Sequence, residues 1–191
     1  LPADLADNPR DKAELFDLIA QFKQKAAMPE DYSKDPRFDN RAFRQLTGTL
    51  REIKTPEELT LLRKAVEISC QGQNEVMKVV RPDMSELEIQ GLHEYVHKKY
   101  GAEEVGYGSI VGAGENGCVL HYMENTKTKV GTSLLLMDVG AEYHGYTADV
   151  TRTIPAGGKF SAEEKIIYQL VYDAQEAAFK LLKDGAKWSD A

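Results

Sequence analysis

Apolar residues recur at helical spacing in four stretches of the chain, and at strand spacing in the region between the third and fourth. In "DKAELFDLIAQFKQKAA" they outline one amphipathic helix. The following "MPEDYSKDPRFDNRAF", rich in Pro, Asp and Asn, reads as a loop or linker. Thr55-Pro56-Glu57-Glu58 marks a second helix, with Thr as N-cap, Pro at the first helical position and Glu closing a capping box. Leu59, Leu62, Val66, Cys70 and Val76 or Met77 continue it to the break at Arg81-Pro82. Ser85 caps a third helix, with Glu88 completing its box, and Gly101 ends it. Between residues 105 and 155 the texture turns Gly-rich and β-branched. Four segments there have strand length: "YGSIVGAG", "CVLHYME", "SLLLMDVGAEY" and "YTADVTRTI". Ser161 with Glu164 caps a last helix that runs to about Lys183. Helices, antiparallel strands and a further helix predict an α+β fold rather than a doubly wound sheet.

Two aspartates interrupt this strand pattern. Asp138 and Asp149 both have apolar strand on their flanks, "LLLMD" and "TADVT", where aspartate is depleted and costly to bury alone. A tight turn at His144-Gly145 makes the two segments a hairpin, since Gly adopts positive φ freely and His tolerates it. That turn pairs Tyr143 with Tyr146, Asp138 with Thr151 and Asp149 with Gly140. Side chains alternate with period two, so the two carboxylates project on one side as diagonal neighbours, and Gly140 leaves space beside Asp149. Like charges so placed need a shared proton, a basic neighbour such as Arg152, or cations. Hard divalent ions prefer carboxylate oxygen, and one carboxylate can bridge two of them. A metal site is the expectation. Two-metal sites of this kind serve hydrolysis.

Composition narrows the partners. With 191 residues, 42% of them apolar, the chain can bury one substantial core, or one domain and part of another. The net charge is −7 and no basic cluster runs along any segment, which argues against nucleic acid and against an anionic membrane surface. No apolar run approaches the roughly 18 to 20 residues that cross a bilayer. Cys70 and Cys118 form no CxxC pair, which suits a reducing compartment, and a cytoplasmic location is expected. The opening "LPADLADNPR" has neither an initiator Met nor a signal-peptide pattern and reads as neither a signal sequence nor a natural start.

A competing motif lies in "HEYVH", where His93 and His97 flank a glutamate in the HExxH spacing of zinc peptidases. The apolar face of that helix is Ile89, Leu92 and Val96, which leaves the histidines on a flank, and no third ligand stands ready. They are read as part of a solvated amphipathic helix.

The segments "GSIVGAGENGCVLHYMEN" and "LLLMDVGAEYHGYTADVTRTIPAGGKFSAEEKIIYQLV" resemble the pita-bread metallopeptidases, and most closely their Xaa-Pro aminopeptidase (aminopeptidase P) branch, with prolidase next. The resemblance implies a pita-bread fold whose first half, an antiparallel sheet flanked by helices, occupies residues 51–191. Residues 1–50 resemble the tail of an N-terminal domain and its linker. It further implies that Asp138 ligates one metal, that Asp149 bridges two, and that His121 lines the active site near the substrate. The family's ions are Mn, Co or Zn, with Mn expected here. Its substrates are peptides with proline in the second position, and a homo-oligomer is compatible with it. A dipeptide-specific prolidase and a non-catalytic binding protein of the same fold are the alternatives. The His and two Glu that complete the family's site have no counterpart after Asp149. "VVRPDMSELE" and "LLKDGAKWSDA" also look like one helix–loop–cap unit used twice. Both features suggest the middle of a longer protein, with Trp188 packed where two halves meet.

Overall fold

A computed structural model describes residues 40–187 and 189, and the chain divides into two compact units, Leu1–Lys54 and Thr55–Ala191. The helix expected in residues 11–27 and the packing expected of Trp188 lie outside the described residues. In the first unit, α1 spans Asn40–Glu52, so the end of the stretch read as linker is helical. Its Leu46 and Leu50 stand one turn apart, the spacing of a helix face.

The second unit opens on α2, Pro56–Val79. Thr55 accepts from the Glu58 N–H at 3.3 Å, and the Glu58 carboxylate accepts from the Thr55 N–H at 2.6 Å, so both halves of the capping box form. Helix α3 spans Glu86–Lys99. Ser85 accepts from the Glu88 N–H at 3.0 Å, but the Glu88 carboxylate makes no return bond, so this cap is one-sided. The strands β1 (Glu104–Val105), β2 (Ile110–Ala113), β3 (Leu134–Val139), β4 (Ala141–Tyr143), β5 (Tyr146–Thr147) and β6 (Val150–Pro155) follow. They form two antiparallel three-stranded sheets, ordered β1-β4-β5 and β2-β3-β6. Helix α4 follows, Ala162–Leu181, whose Ser161–Glu164 box is complete and which buries no residue within the described chain. No described helix is long and apolar enough to cross a membrane.

The register of the hairpin is the expected one. Tyr143 pairs with Tyr146 around His144-Gly145, whose φ values are 50° and 82°, and Asp138 pairs with Thr151. Each long strand nevertheless breaks, at Gly140 on one side and at Ala148-Asp149 on the other. The hairpin thus belongs to both sheets. In β3, Leu135, Met137 and Val139 are buried while Leu134, Leu136 and Asp138 are only half-buried. The core lies beneath the first set, where Val76, Ile89, Val111 and Val130 join Leu135 and Met137.

Two further expectations fail. "CVLHYME" is not a strand: Gly114–Cys118 is a short 3-10 turn, and irregular chain follows to Ser133. The cause is Glu86, a fully buried carboxylate at the start of α3. It accepts from Ala113 N at 2.8 Å, Lys127 N at 2.8 Å, Tyr122 Oη at 2.8 Å and Asn116 Nδ2 at 3.1 Å. A buried carboxyl group without a basic partner requires such a ring of donors, and the loop folds to supply them.

The second failure concerns His93 and His97, which are not solvated but 0% and 1% exposed. With Ile89 and Val96 they complete the buried face of α3, at the i, i+4 and i+7 spacing of a helix stripe. They pack against Gly72 of α2, where a Cβ would come within 2.8 Å of His97 Nε2 and 3.1 Å of His93 Nδ1. Only the missing side chain of Gly72 admits two imidazoles there. His93 Nε2 lies 3.4 Å from Met137 Sδ, whereas His93 Nδ1 and both His97 nitrogens have no partner among the described residues.

Burial, with the neighbouring His97 adding to it, lowers the His93 pKa to about 3. Burial also lowers that of His97, opposed by Glu94. Both imidazoles are therefore neutral in the folded chain and protonate more readily once unfolded. The contribution of His93 to stability is complete above the ordinary histidine pKa of about 6.5 and is lost as pH falls from there towards 3, and His97 acts in the same direction. Unfolding free energies from urea titrations between pH 7.5 and pH 4 are expected to fall with a slope of up to about 1.4 kcal/mol per pH unit from His93. His93→Leu should flatten that slope, and an unchanged slope in the variant would show that the histidine is not the titrating group.

Candidate metal centre

Asp138 and Asp149 meet at a third residue. Tyr107, in the loop between β1 and β2, donates its hydroxyl to Asp138 Oδ1 in a short hydrogen bond and lies 3.3 Å from Asp149 Oδ1. Two oxygens in reach of one hydroxyl are within about 6 Å of each other, so the carboxylates share a sheet face as the hairpin parity requires. The pairing of Ile110 with Asp138 brings the Tyr107 loop alongside. Asp138 is half-buried and Asp149 exposed.

The space expected beside Asp149 at Gly140 is filled. A Cβ on Gly140 would lie 2.0 Å from the Ala148 carbonyl oxygen and 2.7 Å from the Tyr107 ring. The missing side chain brings the opposite strand and the phenol close. Gly106 N donates to Gly140 O at 2.8 Å and ties the Tyr107 loop to the same point.

The electrostatics are unbalanced. A phenol carries one proton, so Tyr107 serves Asp138 and leaves Asp149 with the weaker contact. Burial first, then the bond to Asp138 and the charges of both aspartates, hold the Tyr107 pKa far above its ordinary value, so it stays a donor. Arg152 is not the counter-ion. It pairs with Met137 on the adjacent register position, and its Nη1 donates to Thr151 O at 2.7 Å. Among the described residues no basic side chain forms an ion pair with either carboxylate. Two hard, negatively charged donors facing one way fit a divalent cation. They are an incomplete set, since the described residues hold no group of three or more His, Cys, Asp or Glu placed for a metal.

His121 sits on a turn after the 3-10 segment, exposed, with a left-handed backbone at φ 54°. Its neighbour Tyr122 is buried on Glu86 and holds the turn from inside. His144 is exposed at the hairpin tip and pairs with Glu103 at 2.6 Å. The structure thus brings Asp138 and Asp149 together and leaves His121 on a separate, Glu86-anchored loop. Tyr107 had escaped the reading of the sequence. Only the β2–β3 register could have pointed to it, and a tyrosine before a Gly-rich strand carries no such signal.

The metallopeptidase family M24 matches residues 60–191, and the chain belongs to that family. The Xaa-Pro aminopeptidase of Escherichia coli K12 is 38% identical over 143 residues, 75% of this chain and 32% of that protein. The mitochondrial intermediate cleaving peptidase 55 of Arabidopsis thaliana is 32% identical over 97% of this chain and 38% of its own. A low-pH crystal form of Escherichia coli aminopeptidase P superposes with a TM-score of 0.70 at 38% identity, covering 73% of this chain and 32% of that one. The fold is the pita-bread class of these structures. The chain spans about a third of the length of the curated relatives it matches.

Gly140→Ala should destabilise the protein by about 3 kcal/mol, the upper range for overpacking, because the obstacle is backbone. Gly145→Ala, with open space but φ 82°, should cost only about 1 kcal/mol in strain. Urea unfolding of the two variants checks the order, and the reverse order would contradict the close approach at Gly140.

Proposed function

We propose that this chain supplies residues 51–191 as the first half of the catalytic domain of an Xaa-Pro aminopeptidase, with residues 1–50 as the tail of an N-terminal domain and its linker. The enzyme removes the first residue of peptides whose second residue is proline, works in the cytoplasm, and uses two divalent ions, Mn ahead of Co or Zn. The observation that carries this reading is the convergence of Asp138 and Asp149 on one phenol with no basic partner beside them. Family membership and relatives named Xaa-Pro aminopeptidase support the reaction class.

In this reading Asp138 and Asp149 would be the residues of this chain that hold the ions. Bound there, the ions supply Lewis acidity and a nucleophile at neutral pH. The chain's own residues orient and select. Tyr107 keeps its proton and fixes the rotamer of Asp138. His121, exposed and with its backbone pinned by the Tyr122–Glu86 bond, offers an imidazole to the substrate side. Arg152 and His144, bonded elsewhere, take no part.

The full-length protein with Mn should hydrolyse an Xaa-Pro tripeptide and leave a proline-free tripeptide intact. Asp138→Asn and Asp149→Asn should each lower kcat/KM by about a thousandfold, equivalent to about 4 kcal/mol. His121→Ala should lower kcat by about a hundredfold. Cleavage confined to Xaa-Pro dipeptides would replace the reading with a prolidase, and no cleavage of either would replace it with a binding protein. The 191-residue chain by itself should bind Mn weakly at best and show no peptidase activity, because two carboxylates are too few to hold two ions. Metal-dependent hydrolysis by that chain would mean that its own histidines complete the site.

A further inference from the structure

Gln73 lies in the middle of α2, only 3% exposed, where an unbonded amide would be costly. Both hydrogens of its side-chain nitrogen are used, on Met137 O at 3.1 Å and on Val150 O at 2.9 Å. Both partners are carbonyls, so the nitrogen must face them. The amide oxygen, turned the other way, has no partner among the described residues.

The two carbonyls are not ordinary ladder groups. Met137 directly precedes Asp138, and Val150 directly follows Asp149. Met137 and Val150 are buried on the side of the sheet that faces α2, and side chains alternate across the sheet, so the two carboxylates project from the other side. The ladder opens at this level, because β3 ends at Val139, β6 begins at Val150, and Gly140, Ala148 and Asp149 lie outside both. Regular pairing therefore stops where the spacing of the two aspartates is decided. One side chain from behind spans both strands at that point.

We propose that Gln73 is a positioning residue for the metal centre: its amide clamps the Met137 and Val150 carbonyls and so sets the separation at which Asp138 and Asp149 face a common cation. The inference rests on the reading of those aspartates as ligands. Ser69, one turn earlier on α2, provides the comparison. Its hydroxyl accepts from Ala141 N at 2.9 Å and is also buried, but it holds the hairpin beyond the break and touches neither residue next to an aspartate.

The test is a Mn titration of the full-length protein, followed by electron paramagnetic resonance, with thermal unfolding and circular dichroism recorded on the same samples. Gln73→Met, which removes both donors, should weaken Mn binding by about 10- to 100-fold, the range for groups that orient metal ligands. Ser69→Ala, which also loses a buried hydrogen bond to the hairpin, should lower the unfolding temperature and leave Mn affinity unchanged. Gln73→His keeps one N–H donor; it should fall between wild type and Gln73→Met, and it carries the test if Gln73→Met does not fold. Equal loss of affinity in the Gln73 and Ser69 variants, or wild-type affinity in the Gln73 variants, would overturn the inference. Asp149→Asn separates the two layers. If it abolishes Mn binding while Gln73→Met and Gln73→His do not weaken it, only the role of Gln73 falls. If Asp149→Asn binds Mn as the wild type does, the reading of the aspartates falls and the role of Gln73 with it.

Discussion

One face of helix α2 organises the second unit. Along it Ala65, Ile68, Ser69, Gly72, Gln73 and Val76 are all buried. The apolar members supply the burial that holds helix to sheet. The small and polar members decide how the parts fit. Gly72 opens a recess for two imidazoles of α3, Ser69 caps the amide of Ala141, and Gln73 holds the carbonyls of Met137 and Val150. The hairpin can leave one sheet and join another at Gly140 because the backbone groups freed near the break are met from α2. A buried strand break without those partners would leave peptide groups unsatisfied.

The carboxylates of this unit occupy two opposite environments. Glu86 is fully buried yet satisfied, with two backbone amides, a phenol and a side-chain amide directed at it. Its task is to shape the loop that carries His121, and it has no lone pair left that calls for a cation. Asp138 and Asp149 stand nearer to water and have between them one phenolic proton. Donor count, more than burial, distinguishes an anchor from a group free to ligate. The HExxH spacing in α3 is a packing pattern on other grounds: its histidines are neutral, enclosed and turned towards Gly72 and Met137, and the described residues place no third metal-ligating side chain with them.

Much of this was written in local sequence. The Thr55 and Ser161 boxes, the breaks at Arg81-Pro82 and Gly101, and the turn at His144-Gly145 each depend on residues within a few positions of one another, and all lie where short-range chemistry puts them. The shared face of Asp138 and Asp149 belongs to this group, because hairpin register and a period of two suffice to fix it. The long motifs around these residues carried the family as well, since they hold a hairpin, its turn and the next helix cap in one run of sequence.

The rest depended on contacts between residues far apart in the chain. "CVLHYME" has strand composition, but Glu86, some 30 residues earlier, draws Tyr122, Asn116 and two backbone amides inward and prevents an extended chain. His93 and His97 sit at the edge of a helical stripe, and whether such an edge is wet or dry is set by what packs on it, here a glycine on another helix. Tyr107 and Gln73 reach the aspartate pair across separations of 31 and 64 residues. Sequence by itself determined the capped helices, the hairpin with its turn and the common face of the two carboxylates, because those follow from neighbouring residues. Only the tertiary structure decided which buried polar groups are satisfied and by what, because that balance is struck between elements brought together by the collapse of the core.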